Sequence, residues 1–131
     1  MTPIALRLPV REQDFQSPFP IMKELRPHLP DAASFIEQID RQAEQGYRLL
    51  AAWQGDQVAG LAGYRIQENL IYGKFQYVDD LITTAHARSD GVGAALIGAV
   101  REDARRQGCA HLVLDTGLGN APDKVIKKQR K

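Results

Sequence analysis

The stretch that decides the fold is "YVDDLITTAHARSDGVGAALIGAV", residues 77–100. It begins as an apolar, β-branched run typical of a strand and ends with aliphatic residues at helical spacing. Gly91 and Gly93 stand between the two, where the strand gives way to the helix. The first N–H groups of a helix lack partners within it, and the helix dipole adds about half a positive charge there. This position therefore predicts an anion site.

The residues around the two glycines are suited to a phosphate. Glycine lets the backbone approach a ligand closely, and Arg88 can add positive charge and a planar fork of donors. A glycine pair alone is a weak signal, because many helices start with glycine simply to form a tight turn, and that alternative stays open. Two familiar phosphate loops do not fit: Leu96 stands where the dinucleotide fingerprint has glycine or alanine, and no lysine precedes Ser or Thr as in a P-loop.

Outward from this stretch, the chain alternates between strand and helix patterns. Strands are predicted at 4–10, 47–54, 57–67, 74–84 and 111–116, and helices at 17–29, 32–45 and 92–107. Asp31 is the expected N-cap of the second helix, and the pair Gly55 and Asp56 predicts an antiparallel hairpin. The order strand, helix, strand from residue 74 to residue 116 implies a parallel crossover.

Composition narrows the class of protein. With 131 residues we expect one domain spanning 1–131, since roughly 150 residues per domain is the usual guide. Seventeen basic and 16 acidic residues give a net charge of +1, which favours neither nucleic acid nor a membrane surface as a partner. Residues 120–131 are expected to form a divergent, basic and solvated tail.

Neither a secretory leader nor a membrane span is predicted, because no apolar run approaches roughly 18 residues. The single cysteine, Cys109, leaves no internal disulfide and fits a reducing compartment, so we expect a soluble, cytoplasmic protein. His86 and His111 lack partners at metal-ligand spacing, and no metal site is predicted.

The run from Arg88 to Gly93, "RSDGVG", resembles motif A of the GNAT acetyltransferase superfamily, which reads Gln or Arg, two residues, Gly, one residue, Gly or Ala. The preceding "YVDDLITT" looks like the fourth strand of that family. The predicted order of elements is also similar to the first five strands and three helices of the family fold, over residues 4–119. The resemblance implies an α/β (α+β) fold with a mixed, mostly antiparallel sheet and helices on both faces.

The resemblance further implies acetyl-CoA as the cosubstrate. In this family the fourth and fifth strands splay apart, and the pantetheine arm is then expected along the fourth strand, near Leu81, Ile82 and Thr83. The residues implied to surround the diphosphate are Arg88, Ser89, Asp90, Gly91, Val92, Gly93 and Ala94. Asp90 departs from the family, which commonly has a basic or small residue there. Its carboxylate should weaken diphosphate binding unless it points to solvent or caps the following helix, and capping is an adequate explanation of its presence.

Asp79 and Asp80 are the candidate catalytic residues. Because successive strand residues point to opposite faces, we expect Asp79 to face the acceptor cleft with Tyr77, and Asp80 to face the opposite layer. An amine must be neutral to attack a thioester, and a carboxylate that takes its proton is worth roughly 10² to 10⁴ in rate. Asp79 is therefore the predicted base and Asp80 a structural or secondary polar group. The alternative that both only satisfy backbone donors stays open, and His28 is expected to be a solvated loop residue.

The C-terminal sequence departs from the family pattern. Members continue after the fifth strand with a helix that carries an aromatic pair and with two more strands, whereas residues 117–131 here read "GLGNAPDKVIKKQRK". We therefore expect a C-terminally truncated fold that lacks those strands and the tyrosine that often protonates the leaving thiolate. The open edge of the fifth strand then predicts a homodimer formed by strand pairing.

These observations favour an acetyl-CoA-dependent N-acetyltransferase that acts on an amine of a small molecule or protein. The alternative is a truncated, inactive module that binds CoA or pairs strands with a partner. The acceptor itself is not identified by the sequence.

Overall fold

A computed structural model describes residues 3–115 and 126–130 of the chain. The strands are β1 (Ile4–Arg7), β2 (Arg48–Gln54), β3 (Gln57–Asn69), β4 (Gly73–Thr83), β5 (His111–Asp115) and β6 (Ile126–Arg130). The helices are α1 (Pro18–Leu25), α2 (Ala32–Ala43) and α3 (Val92–Arg106), and short 3₁₀ turns occupy Glu12–Phe15 and Ala85–Asp90. Each predicted helix and strand is present, with ends that differ by a few residues.

The strands form one sheet in the order β1-β2-β3-β4-β5-β6. Neighbouring strands are antiparallel except β4 and β5, which are parallel and connected through α3. Gln54 pairs with Gln57 across Gly55 and Asp56, so the predicted two-residue hairpin is confirmed. The mixed, mostly antiparallel sheet confirms the predicted fold class.

The helices cover both faces of the sheet. On one face, α1 and α2 pack on a core that includes Phe35, Leu49 and Leu61, and on the other face α3 packs through Leu96 and Val100. Asp31 caps α2 as predicted, since its Oδ1 accepts a hydrogen bond of 2.8 Å from the Ser34 N–H. None of the helices in the described ranges is long and apolar enough to cross a membrane.

The C-terminal part of the sheet differs from the prediction. β6 pairs antiparallel with β5, from Asp115 opposite Ile126 to His111 opposite Arg130. The expectations that no strand follows β5 and that its edge is open are therefore wrong, because the returning chain satisfies the backbone groups of that edge. The homodimer was predicted because this edge would otherwise be unpaired, and the pairing with β6 removes that reason. Five residues of the predicted basic tail form β6, while 116–125 lie outside the described residues.

Candidate active site

The paired region of β4 and β5 ends before β4 does. Their described pairs run from Phe75 opposite His111 to Val78 opposite Leu114. β4 continues to Thr83, and over residues 80–83 its one strand neighbour within the described chain is β3. Among the described residues, no strand pairs with Leu81, Ile82 or Thr83 on the β5 side, and we call this segment the free edge of β4. The resemblance places the pantetheine arm along it.

The N-terminus of α3 lies at the end of this free edge. Gly91 is the N-cap of α3 and has a φ of 81°, a conformation that strongly favours glycine. A Cβ added at Gly93 would lie 3.6 Å from Cγ2 of Thr83, so the helix start and the strand end are in contact distance of each other. Arg88 and Ser89 lie in the 3₁₀ turn immediately before Gly91. The N–H groups of Val92, Gly93 and Ala94 thus belong to the first turn of α3, next to the strand edge.

Asp90 does not have the predicted role. The cap position of α3 is Gly91, without a side-chain cap bond, and Asp90 precedes it in the 3₁₀ turn. Its Oδ2 instead accepts a hydrogen bond of 3.3 Å from Nε2 of Gln54, at the end of β2. The capping prediction is wrong because the left-handed residue at Gly91 moves the helix start one position further along the chain.

A β-bulge places Asp79 and Asp80 differently from the prediction. Gly63 pairs with Asp80 and Tyr64 pairs with Val78, so Asp79 is the extra residue of β4. The bulge resets the alternation: Val78 packs in the core under α3, whereas Asp80 lies in the wall of a cavity beside α1 and α2.

Asp79 lies on the same side of the sheet as Asp80. It contacts Arg65, which follows Tyr64 on β3. Tyr64 is in the core under α3, so its neighbour Arg65 points to the face of α1 and α2. The prediction that the two carboxylates face opposite layers is therefore wrong.

Asp80 is held by hydrogen bonds to both of its oxygens. Oδ1 accepts from Nη2 and Nε of Arg26, at 2.7 Å and 2.9 Å, and Oδ2 accepts from the Tyr47 hydroxyl at 2.7 Å. Arg26 follows α1 and also donates to the main-chain oxygen of Asp79, at 3.0 Å. Burial and the Asp80 charge raise the pKa of Tyr47 well above its usual value, so Tyr47 remains a neutral donor. Asp80 thus connects α1 and the start of β2 to the bulge.

The Tyr47 hydroxyl lies in space that a side chain at Gly63 would occupy. A Cβ there would overlap the hydroxyl and lie 2.9 Å from Oδ2 of Asp80. We expect Gly63→Ala to displace Tyr47 and to leave Oδ2 of Asp80 without its donor. The free energy of unfolding should then fall by roughly 1 to 3 kcal/mol.

Chemical denaturation of the parent and of Gly63→Ala measures this loss. Gly98→Ala is the matched control, because Gly98 lies within α3 and a Cβ there meets no atom within 4 Å in the described structure. This control should be neutral or stabilising, since alanine favours a helix interior. Equal stability of Gly63→Ala and the parent would show that the overlap is relieved without breaking the hydrogen bond.

The two carboxylate oxygens of Asp79 differ, because one accepts a hydrogen bond and the other has no partner in the described structure. Oδ1 is 3.1 Å from Nη2 of Arg65, while Oδ2 of Asp79 and Nε of Arg65 are buried without a hydrogen-bond partner in the described structure. Burial raises the pKa of Asp79, Arg65 counteracts part of that effect, and the neighbouring Asp80 charge adds to it. A partly buried carboxylate with a raised pKa and an oxygen that has no hydrogen-bond partner is a candidate general base.

A cavity of about 120 Å³ lies between α1, α2 and β4. Its apolar wall includes Met22 and Phe35, and its polar wall includes Arg26, His28 and Asp80. His28 is exposed, as expected of a solvated loop residue, and it also contributes to the wall of this cavity.

Residues 11–124 match the model of the acetyltransferase (GNAT) family, which is most of the chain. The chain belongs to the GNAT acetyltransferase family. The predicted resemblance is thereby confirmed. The GNAT family consists of N-acetyltransferases, and this chain is one of them.

Individual relatives agree with this assignment. The GNAT chain is similar to the uncharacterized N-acetyltransferase YhdJ of Bacillus subtilis, with 28% identity over 108 residues, covering 82% of this chain and 75% of YhdJ. The fold is similar to that of an acetyltransferase from Trypanosoma brucei, with a TM-score of 0.76, 21% identity and 98% of each chain covered. It is also similar to AAC(6')-Iy in complex with a bisubstrate CoA analog, with a TM-score of 0.77, 18% identity, and 93% and 85% of the two chains covered.

Three residues of the GNAT site were not predicted from the sequence: Arg26, Tyr47 and Arg65. Each contacts a carboxylate of β4 from a distant position in the chain, and no local motif surrounds it. For Arg26 and Arg65 the available signal was a charge opposite to that of the carboxylates, which many residues of the chain share, and for the neutral Tyr47 there was none. Within the described residues, no group of three His, Cys, Asp or Glu side chains is placed to hold a metal ion.

Proposed function

We propose that acetyl-CoA is the cosubstrate of this chain, bound along the free edge of β4 with its diphosphate at the start of α3. The observation that carries the proposal is the continuity of these two features, since Gly93 of the helix start lies beside Thr83 at the end of the strand edge. The edge at Leu81, Ile82 and Thr83 offers backbone groups to an extended amide chain. The first turn of α3 offers N–H donors and positive potential to a diphosphate.

We further propose that Asp79 is the general base. The nitrogen of a neutral amine attacks the thioester carbonyl, the new N–C bond forms, and the C–S bond of the thioester breaks. The proton of the amine passes to Oδ2 of Asp79, directly or through a water, and the leaving thiolate takes a proton from solvent. The free oxygen, the burial and the raised pKa of Asp79 support this role.

The acceptor is proposed to enter from the side of α1 and α2. Asp80 and Arg26 line the cavity there, and Arg26 also contacts the main chain of Asp79. The cavity is therefore adjacent to the proposed base. Its apolar wall at Met22 and Phe35, opposite the polar groups of Arg26 and Asp80, favours an acceptor that has an apolar part beside its amine.

Turnover and binding measured together test this function. Acetyl-CoA is supplied with three classes of amine, namely aminoglycosides, aliphatic polyamines and peptide amino termini, and release of the CoA thiol is followed. CoA affinity is measured by calorimetry. We expect CoA binding in the micromolar range, as is common for enzyme substrates, and thiol release with at least one class.

CoA binding without turnover across the amine panel would instead support an inactive CoA-binding module. Absence of CoA binding would contradict the proposed cosubstrate.

A further inference from the structure

Arg65 contacts Asp79 through a single hydrogen bond, although both groups could make two. A guanidinium can present Nε and one Nη nitrogen side by side to the two oxygens of a carboxylate. Here Nη2 contacts Oδ1 at 3.1 Å, and the second pair of atoms, Nε of Arg65 and Oδ2 of Asp79, is buried and left without partners in the described structure. Buried polar atoms of this kind are normally satisfied. Both atoms have almost no exposed surface, so a water or an acceptor atom would reach them only after the two side chains shift.

We propose that Arg65 is the positioning residue of Asp79: its guanidinium holds Oδ1, fixes the orientation of the carboxyl group and leaves Oδ2 to take the proton of the acceptor amine. This inference rests on the proposed function, in which Asp79 is the base.

The charged and titratable groups around Asp79 come from four segments. Arg65 comes from β3 and Asp80 from β4, whereas Arg26 directly follows α1 and Tyr47 directly precedes β2. Arg26 is already bound to Asp80 through two hydrogen bonds and meets Asp79 at its main-chain oxygen. Arg65 is therefore the cation that contacts the Asp79 carboxylate directly.

The ion pair between Arg65 and Asp79 predicts the direction in which the pH dependence of kcat/KM changes when Arg65 is removed. A cation beside a carboxylate favours the ionised form and lowers its pKa. Removal of Arg65 leaves the burial of Asp79 and the charge of Asp80 in place, so the pKa of Asp79 rises further. A base with a higher pKa is protonated, and inactive, up to a higher pH. The acid limb of the profile of kcat/KM against pH then moves toward higher pH.

The experiment compares the parent, Arg65→Gln, Arg65→Lys and Arg48→Gln. We expect the acid limb to move to higher pH in Arg65→Gln and to stay in place in Arg65→Lys, which keeps the charge. Arg65→Lys should still lower kcat, because lysine lacks the planar fork that orients Oδ1. Arg48→Gln is the matched control on β2, since Arg48 interacts with Asp103 at 4.0 Å and not with Asp79, and its profile should match that of the parent.

An NMR titration of the Asp79 carboxyl ¹³C signal measures the pKa of Asp79 without turnover. The signal is assigned by its absence from the spectrum of Asp79→Asn. We expect this signal to titrate at a higher pH in Arg65→Gln than in the parent. A parent that binds CoA but acetylates nothing would contradict the proposed function, while this titration still decides whether Arg65 controls Asp79.

The proposal is overturned if Arg65→Gln lowers kcat/KM equally at every pH with an unchanged ¹³C titration, as a structural role would. It is equally overturned if Arg65→Lys retains the kcat of the parent. If Arg65→Gln does not fold, the kcat and the ¹³C titration of Arg65→Lys decide the question.

Discussion

Asp79→Asn is expected to lower kcat by roughly 10² to 10⁴, which is the usual contribution of a general base. Asparagine preserves the shape of the side chain and can still accept a hydrogen bond from Arg65, but its amide cannot take a proton from the acceptor amine. CoA affinity should remain that of the parent, because the proposed contacts of the cosubstrate lie further along β4 and at the start of α3. Initial rates at saturating acetyl-CoA, together with calorimetry, measure the two quantities separately.

Asp80→Asn is the matched control for this experiment. Both oxygens of Asp80 accept hydrogen bonds from Arg26 and Tyr47, so Asp80→Asn should lower the free energy of unfolding. At a temperature where both variants are folded, its kcat should fall less than that of Asp79→Asn. A rate for Asp79→Asn that approaches that of the parent would indicate that a chain of waters removes the proton. The reverse ranking, with Asp80→Asn the slower of two folded variants, would assign the base to Asp80.

Gly91→Glu is expected to weaken CoA binding by about a hundredfold or more. A like charge placed against a ligand costs several kcal/mol, and each 1.4 kcal/mol is about tenfold in affinity. Gly91 is the N-cap of α3, so a carboxylate there faces the position proposed for the diphosphate. The measurement is calorimetric titration with CoA, at an ionic strength near that of the cell.

Gly108→Glu separates charge repulsion from backbone strain. Gly108 has a φ of 79°, close to the 81° of Gly91, and in the described structure a Cβ at either position meets no atom within 4 Å. The same substitution therefore introduces the same charge and similar strain at the other end of α3. Parent-like CoA affinity of Gly108→Glu, beside a loss in Gly91→Glu, would locate the diphosphate at the helix start. Equal losses would mean that both variants act through folding.

The parts of the fold that the sequence predicted depend on local signals. The hairpin follows from the polar pair between two apolar runs, and the start of α2 follows from Asp31 at its cap. The position of α3 follows from apolar residues at helical spacing after Gly91. Each of these signals lies within a few residues of the element that it determines, so no knowledge of the tertiary structure was needed.

The arrangement of the site depends instead on contacts between distant residues. Arg26 and Tyr47 are 54 and 33 positions from Asp80, and nothing in their immediate sequence indicates that they meet it. The bulge at Asp79 reflects the pairing of Gly63 with Asp80, which is a property of two strands together. Strand alternation alone therefore predicted that the two carboxylates lie on opposite faces of the sheet. In the structure, the bulge puts both on the same face.

β6 illustrates a similar limit of sequence reasoning. A segment rich in lysine and arginine reads as a solvated end when it is considered alone. Beside β5, however, the same segment satisfies backbone groups, and the pairing depends little on side-chain hydrophobicity. Charged residues are also common on outer strands, where they discourage association with another sheet.

If acetyl-CoA binds along the free edge of β4, it also raises the free energy of unfolding of the chain. A molecule that binds the folded chain and not the unfolded one stabilises it by about 2.7 kcal/mol when its concentration is a hundred times its dissociation constant. If acetyl-CoA occupies the edge as proposed, the unloaded chain is the more easily unfolded form and the more exposed to proteolysis. Since differences of roughly 1 to 2 kcal/mol change protein abundance several-fold, the amount of this enzyme in a cell would rise and fall with the supply of acetyl-CoA.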